Sequence, residues 1–129
     1  MENQSIINKL ELIAQSAQEI ARSARKVNAS LVKEKGIEYN QQITHGFAWY
    51  ATYAETITQT VNWVKELNEK NILTDYEMGI AKIGVGEYCL QMMHGIPMSQ
   101  SEIIRPYEIG VQKKLLKDFE DICKEITDA

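Results

Sequence analysis

The stretch Ile43–Leu67, ITHGFAWYATYAETITQTVNWVKEL, constrains the fold more than any other part of the chain. At helical spacing it carries two apolar rows. One runs Ile43, Phe47, Ala51, Ala54, Ile57, Val61, Val64 and the other His45, Trp49, Tyr53, Thr56, Thr60, Trp63, both in steps of three and four. A surface helix needs one apolar stripe, so two predict a central helix covered on more than one side.

Helical patterns surround it. Ser5 reads as an N-cap, followed by Ile6, Leu10, Ile13, Ala17, Ala24 and Leu31 at helical steps, with a stop at Gly36 behind two lysines. After a turn at Asn71–Leu73, Thr74-Asp75-Tyr76-Glu77 reads as a capping box opening a helix that ends at Gly95, before Pro97. Gly79, Gly84 and Gly86 lie inside that helix, each costing up to about 1 kcal/mol relative to alanine. Close packing of the face shared by Gly79 and Gly86 on the aromatic row of the central helix would compensate, so Gly86→Leu should lower the melting temperature. Ser99-Gln100-Ser101-Glu102 reads as a second capping box, opening a turn through Ile103 and Ile104 that Pro106 interrupts. A last helix carries Val111, Leu115, Phe119, Ile122 and Ile126. No segment alternates with period two. The expectation is an all-α, single-domain (1–129), up-down bundle of four main helices, about 5–33, 41–70, 75–94 and 110–127, with a short helical turn near 100–105.

The first two helices are predicted at close to 43 Å or more, against about 30 and 27 Å for the other two. The short pair cannot cover the long pair, which points to self-association through the long hairpin.

Composition narrows the function classes. A chain of 129 residues buries roughly two-thirds of its unfolded surface, enough for a core without staples. Cys89 and Cys123 each fall in an apolar helical pattern, read as small buried hydrophobes in a reducing, cytoplasmic setting. The N-terminus has no basic segment followed by an apolar run and no long apolar stretch occurs, so neither a leader nor a membrane span is expected. The net charge is −4, and the basic residues of the first helix are interspersed with glutamates, against a nucleic-acid surface.

Chemistry is sparse. His45 and His94 lack the spacing that places two ligands on one helix face, so no metal site is expected. Gly84-Val85-Gly86 has neither the third glycine nor the preceding strand of a dinucleotide fingerprint. Glu55 and Glu87 are flanked by apolar residues, as a general base is, but a surface pairing or capping role accounts for both. The aromatic run Phe47, Trp49, Tyr50, Tyr53 could stack a flat ligand, though aromatics at helical spacing are usually core.

Three blocks are more informative together: His45, Gly46, Ala51, Thr52, Tyr53 and Glu55; then Ile83, Gly86, Glu87 and Tyr88; then Gly95, Ile96, Met98, Ser99, Gln100, Glu102, Arg105, Pro106 and Gly110. In order and spacing they resemble the N-terminal helical extension of acyl-CoA dehydrogenases of the (2S)-methylsuccinyl-CoA dehydrogenase type. The resemblance covers roughly the middle half of the chain. Members of that family are FAD-dependent flavoproteins that oxidise an acyl-CoA thioester at its α and β carbons. The resemblance falls on the extension, not on the dehydrogenase body, and nothing in the chain reads as the β domain of such an enzyme. It therefore implies a non-catalytic accessory domain that self-associates or docks on an acyl-CoA dehydrogenase, with no catalytic residue and no cofactor of its own, FAD entering only where a dehydrogenase body is present elsewhere. The surface it singles out comprises His45, Trp49, Tyr53, Glu87, Met98, Ser99, Gln100 and Arg105. The alternative it leaves open is an acyl-CoA or flavin pocket lined by Trp49, Tyr53, Glu87 and the GIPMSQ loop, as part of a dehydrogenase.

Overall fold

A computed structural model describes residues 2–99 and 102–128. Four helices dominate it: α1 (Glu2–Lys35), α2 (Gln41–Glu69), α3 (Asp75–His94) and α4 (Lys113–Thr127). α1 packs on α2 and α4, and α3 packs on α2 and α4, giving an up-down bundle whose order round the core is α1, α2, α3, α4. Ser5 lies inside α1 rather than capping it, because the helix already begins at Glu2.

The core is the small-residue face of α1 (Leu10, Ile13, Ala17, Ile20, Ala24) against Ala54, Ile57, Val61 and Val64 of α2, closed by Ala81, Val85, Cys89 and Met92 of α3 and Phe119 of α4. In the second half of α2 this is the first of the two rows read from the sequence. In the first half it is not: Gly46 and Tyr50 are buried, whereas Phe47 and Ala51 are only half-buried. Each step of four residues carries a row about 40° round a helix, so two such steps from Ile43 move Ala51 off the line that Val61 and Ile57 define. The second row is covered only in part. Tyr53 is buried, but Trp63 and His45 are exposed, so α2 is central on two sides and open on a third.

Between α3 and α4 the chain builds a cap. Ile96–Pro97 (β1) and Ile103–Ile104 (β2) pair antiparallel, with Ile96 opposite Ile104, and a 3-10 turn follows at Pro106–Ile109. The short helical turn is thus present, but it begins at Pro106, and Ile103 and Ile104 are extended. Proline explains the displacement. It disfavours helical backbone at the preceding Arg105 (φ −108°, ψ 155°) and is well suited to the first helical position itself. Glu108 reaches back to accept a hydrogen bond from the Arg105 amide at 3.0 Å. The expected Ser99–Glu102 capping box depends on Gln100 and Ser101, which lie outside the described residues.

This cap covers part of the far end of the α1–α2 hairpin, the region the two shorter helices do not reach. Ile104, Ile109 and Val111 are buried there. Asn40 completes the end: its side-chain amide donates to the carbonyls of Leu31 (3.0 Å) and Gly36 (2.9 Å), tying the end of α1 to the start of α2. The Thr44 hydroxyl donates to Asn28 at 2.9 Å.

The glycines of α3 also part company with expectation. Gly86 faces α4, where an added Cβ would come within 3.2 Å of Ile126, rather than the aromatics of α2. Around Gly79 and Gly84 an added Cβ would meet nothing. Their helix-propensity cost, up to about 1 kcal/mol each, is not offset by packing among the described residues.

Candidate functional site

The first and third of the blocks that carry the family resemblance meet at the cap and the adjoining start of α2, whereas in the second Gly86 faces α4 and Ile83 and Glu87 are exposed on α3. Gly46 sits on α2 directly beneath β2, where a Cβ would approach Ile104 Cγ1 to 2.4 Å. Only glycine lets the strand lie this close. Gly95 (φ 145°) and Gly110 (φ 81°) bracket the cap at backbone angles that side-chain-bearing residues rarely adopt, and a Cβ at Gly110 would meet Val27 of α1 at 2.7 Å. Pro106, Ile96 and Met98 are buried in the same assembly. Beneath it the Tyr50 hydroxyl donates to the Met92 carbonyl at 2.7 Å, satisfying one of the last backbone acceptors of α3. Burial, and secondarily the carboxylate of Glu108, push the Tyr50 hydroxyl pKa well above its usual range, so it remains a donor at any physiological pH.

A ladder of rings runs beside the cap on α2. The Trp49 indole donates to His45 Nε2 at 3.0 Å, which requires that nitrogen to be unprotonated. Trp49 meets Tyr53 edge-on (centroids 6.2 Å apart), and Tyr53 meets Tyr88 of α3 in the same way at 4.7 Å. The Tyr53 hydroxyl donates to the Gln91 side chain. Its pKa is raised, first by burial and then by the neighbouring Tyr88.

Of the residues singled out from the sequence, His45, Trp49 and Tyr53 form this ladder, and His45 and Ser99 line one open cleft of about 820 Å³ with Glu102, Gln41, Gln42 and Thr44. Met98 is buried in the cap, and Arg105 is exposed, contributing its backbone to the turn. Glu87 lies exposed on α3, turned by helical register away from the buried face of Val85, Cys89 and Met92. It does not join the cleft-lining residues. Gln100 lies outside the described residues. Sequence reading missed Gln41, Gln42 and Thr44, whose only signal is their place one to two turns before Trp49 on the exposed start of α2. Glu55 is held as a surface group, accepting from Gln59 at 2.8 Å.

Chemically the cleft offers amides, hydroxyls, one imidazole and one carboxylate, all near solvent. Among the described residues no group of three or more His, Cys, Asp or Glu is placed to hold a metal ion. No helix among them is long and apolar enough to cross a membrane. A second depression, of about 720 Å³, runs along the outer face of α2 past Thr52, Thr56, Thr60 and Trp63. It is lined by one helix only, whereas the cap cleft is built where two parts of the chain meet.

No family profile matches the chain. It is 37% identical over 97 residues, 73% of its length, to the (2S)-methylsuccinyl-CoA dehydrogenase of Cereibacter sphaeroides, of which it spans 18%. The chain is therefore a helical domain related in sequence to part of an acyl-CoA dehydrogenase.

Proposed function

We propose that this chain is a non-catalytic interaction domain that docks, through the cap and the start of α2, on an acyl-CoA dehydrogenase flavoprotein. One observation carries the reading. Residues of the first and third blocks that carry the resemblance build an outward-facing platform supported by close-packed glycines, and its polar groups (His45, Ser99, Glu102) line an open cleft at the surface. A catalytic centre works by excluding water around groups preorganised for a developing charge. A platform rimmed by solvated polar groups is suited to a protein surface.

The test is capture of a purified acyl-CoA dehydrogenase by the immobilised chain. Ser99→Trp and His45→Glu, both at exposed positions, should abolish capture while leaving the melting temperature unchanged. If neither variant alters capture, the docking face is elsewhere. A second reading, an acyl-CoA pocket, is favoured by the cleft volume, which falls within the range of small-molecule sites. A CoA thioester that raises the melting temperature of the wild-type chain, but not of Ser99→Trp, would establish that reading over the first.

A further inference from the structure

At the opposite end of the bundle from the cap, the outer face of α3 is apolar and bare. Tyr76, Ile80 and Ile83, at spacings of four and three, are 76%, 48% and 72% exposed. Ile72 (56%) extends the row through the α2–α3 turn, and Trp63 (39%) lies on the open side of α2. The four side chains of the row, Ile72, Tyr76, Ile80 and Ile83, expose apolar surface on the order of 400 Å², within the range of the largest patch a monomer leaves uncovered. A standard interface takes about 800 Å² from each partner, so this row with its polar margin is sufficient for one.

We infer that this face pairs with the same face of a second copy of the chain, α3 antiparallel to α3 about a two-fold axis beside Gly79. This interface is independent of the cap-docking role. Three features select a second copy. The row is close to symmetric about its own middle: with the axis at the level of residue 78, Tyr76 of each copy lies against the partner's Ile80. Asp75 and Lys82, seven residues apart and so on one flank of the helix, carry opposite charges. A two-fold axis perpendicular to the helices keeps each flank on its own side, placing each Asp75 near the partner's Lys82, and neither residue takes part in the salt bridges among the described residues. Gly79, beside the axis, has open space where a side chain would stand, which lets two helix backbones approach closely. Its use in an exposed helix then has a cause.

Sedimentation equilibrium of the 129-residue chain from micromolar to millimolar concentration tests this. A monomer–dimer equilibrium is expected, with Ile83→Glu raising the dissociation constant at least tenfold and leaving the far-ultraviolet dichroism and the melting curve of the dilute protein intact. Asp75→Lys should weaken the dimer several-fold, and Asp75→Lys combined with Lys82→Asp should restore it, a rescue that a merely local role for either charge would not produce. Under mild oxidation Gly79→Cys should cross-link to itself, while Lys113→Cys on α4 should not. A chain that stays monomeric at millimolar concentration, or a dimer indifferent to Ile83→Glu, overturns the pairing. So does loss of dehydrogenase capture in Ile83→Glu with self-association unchanged, since the face would then belong to that partner, while the interaction role itself would survive. Loss of capture in the cap variants with the α3 dimer intact would support both the docking role and the pairing, as two separate interfaces.

Discussion

The two ends of the bundle use glycine in opposite ways. At the cap end Gly46 and Gly110 are filled against: Ile104 and Val27 occupy the space a Cβ would need. At the turn end Gly79 and Gly84 stand free, beside exposed isoleucines. A helix-breaking residue retained where it is packed is explained by the fold. One retained where nothing touches it points outside the chain, and the contrast separates architecture from interface without any knowledge of a partner.

The largest effect that would break the contrast is at Gly46. Gly46→Leu drives a side chain into β2 and should cost about 3 kcal/mol, detaching the cap; a thermal melt within a degree or two of wild type would mean that the cap is not tightly seated. Tyr50→Phe should cost about 1–2 kcal/mol in urea denaturation, because it leaves the Met92 carbonyl buried without its donor. At the other end the sign reverses. Gly79→Ala should stabilise the dilute, monomeric chain by about 0.5–1 kcal/mol through helix propensity alone; destabilisation would show that something within the chain needs that glycine. The smallest effect concerns the start of α3. There the Glu77 carboxylate accepts from the Thr74 hydroxyl and, at 3.0 Å, from the Thr74 amide. The hydroxyl bond is the chief cause that lowers its pKa from the ordinary 4.5. A depressed folded pKa gives stability that is present above the unfolded value and lost as pH falls from about 4.5 through the folded value. Between pH 5 and pH 3 the wild type should therefore lose slightly more melting temperature than Glu77→Gln, and equal losses would remove the cap from the account.

The helices were legible because their signals are local. Thr74 with Glu77, Gly95 before Pro97, and the row from Ala54 to Val64 fixed α3 at its observed bounds and the core half of α2. The cap was not legible, because nothing local distinguishes Ile103 and Ile104 as extended: two-residue strands leave no alternation, and what decides them is the fit of Ile104 into Gly46, which lies 58 positions earlier. The same reason hid the partner of Gly86, since Ile126 reaches it from another helix. Of the candidate site, the ladder from His45 to Tyr53 followed from spacing on one helix, whereas its meeting with Tyr88 and Gln91, and the separation of Glu87 from the cleft, are tertiary facts.

The meagre anchorage of α4 has a kinetic consequence. Only Phe119 and Cys123 of its 15 residues are fully buried, so it is the helix whose release exposes the least apolar surface, and its amides should exchange with solvent through local opening before those of α1 or α2. Cys123 lies against Cys89 of α3, and a hydrogen bond between them, with burial, raises the Cys89 thiol pKa far above its usual range. Both thiols are buried, which shields them from reagents while α4 is seated and leaves them reactive when it lifts. The chain thus carries its own clock: the rate at which a thiol reagent labels Cys89 and Cys123 reads out how often the fourth helix leaves the other three.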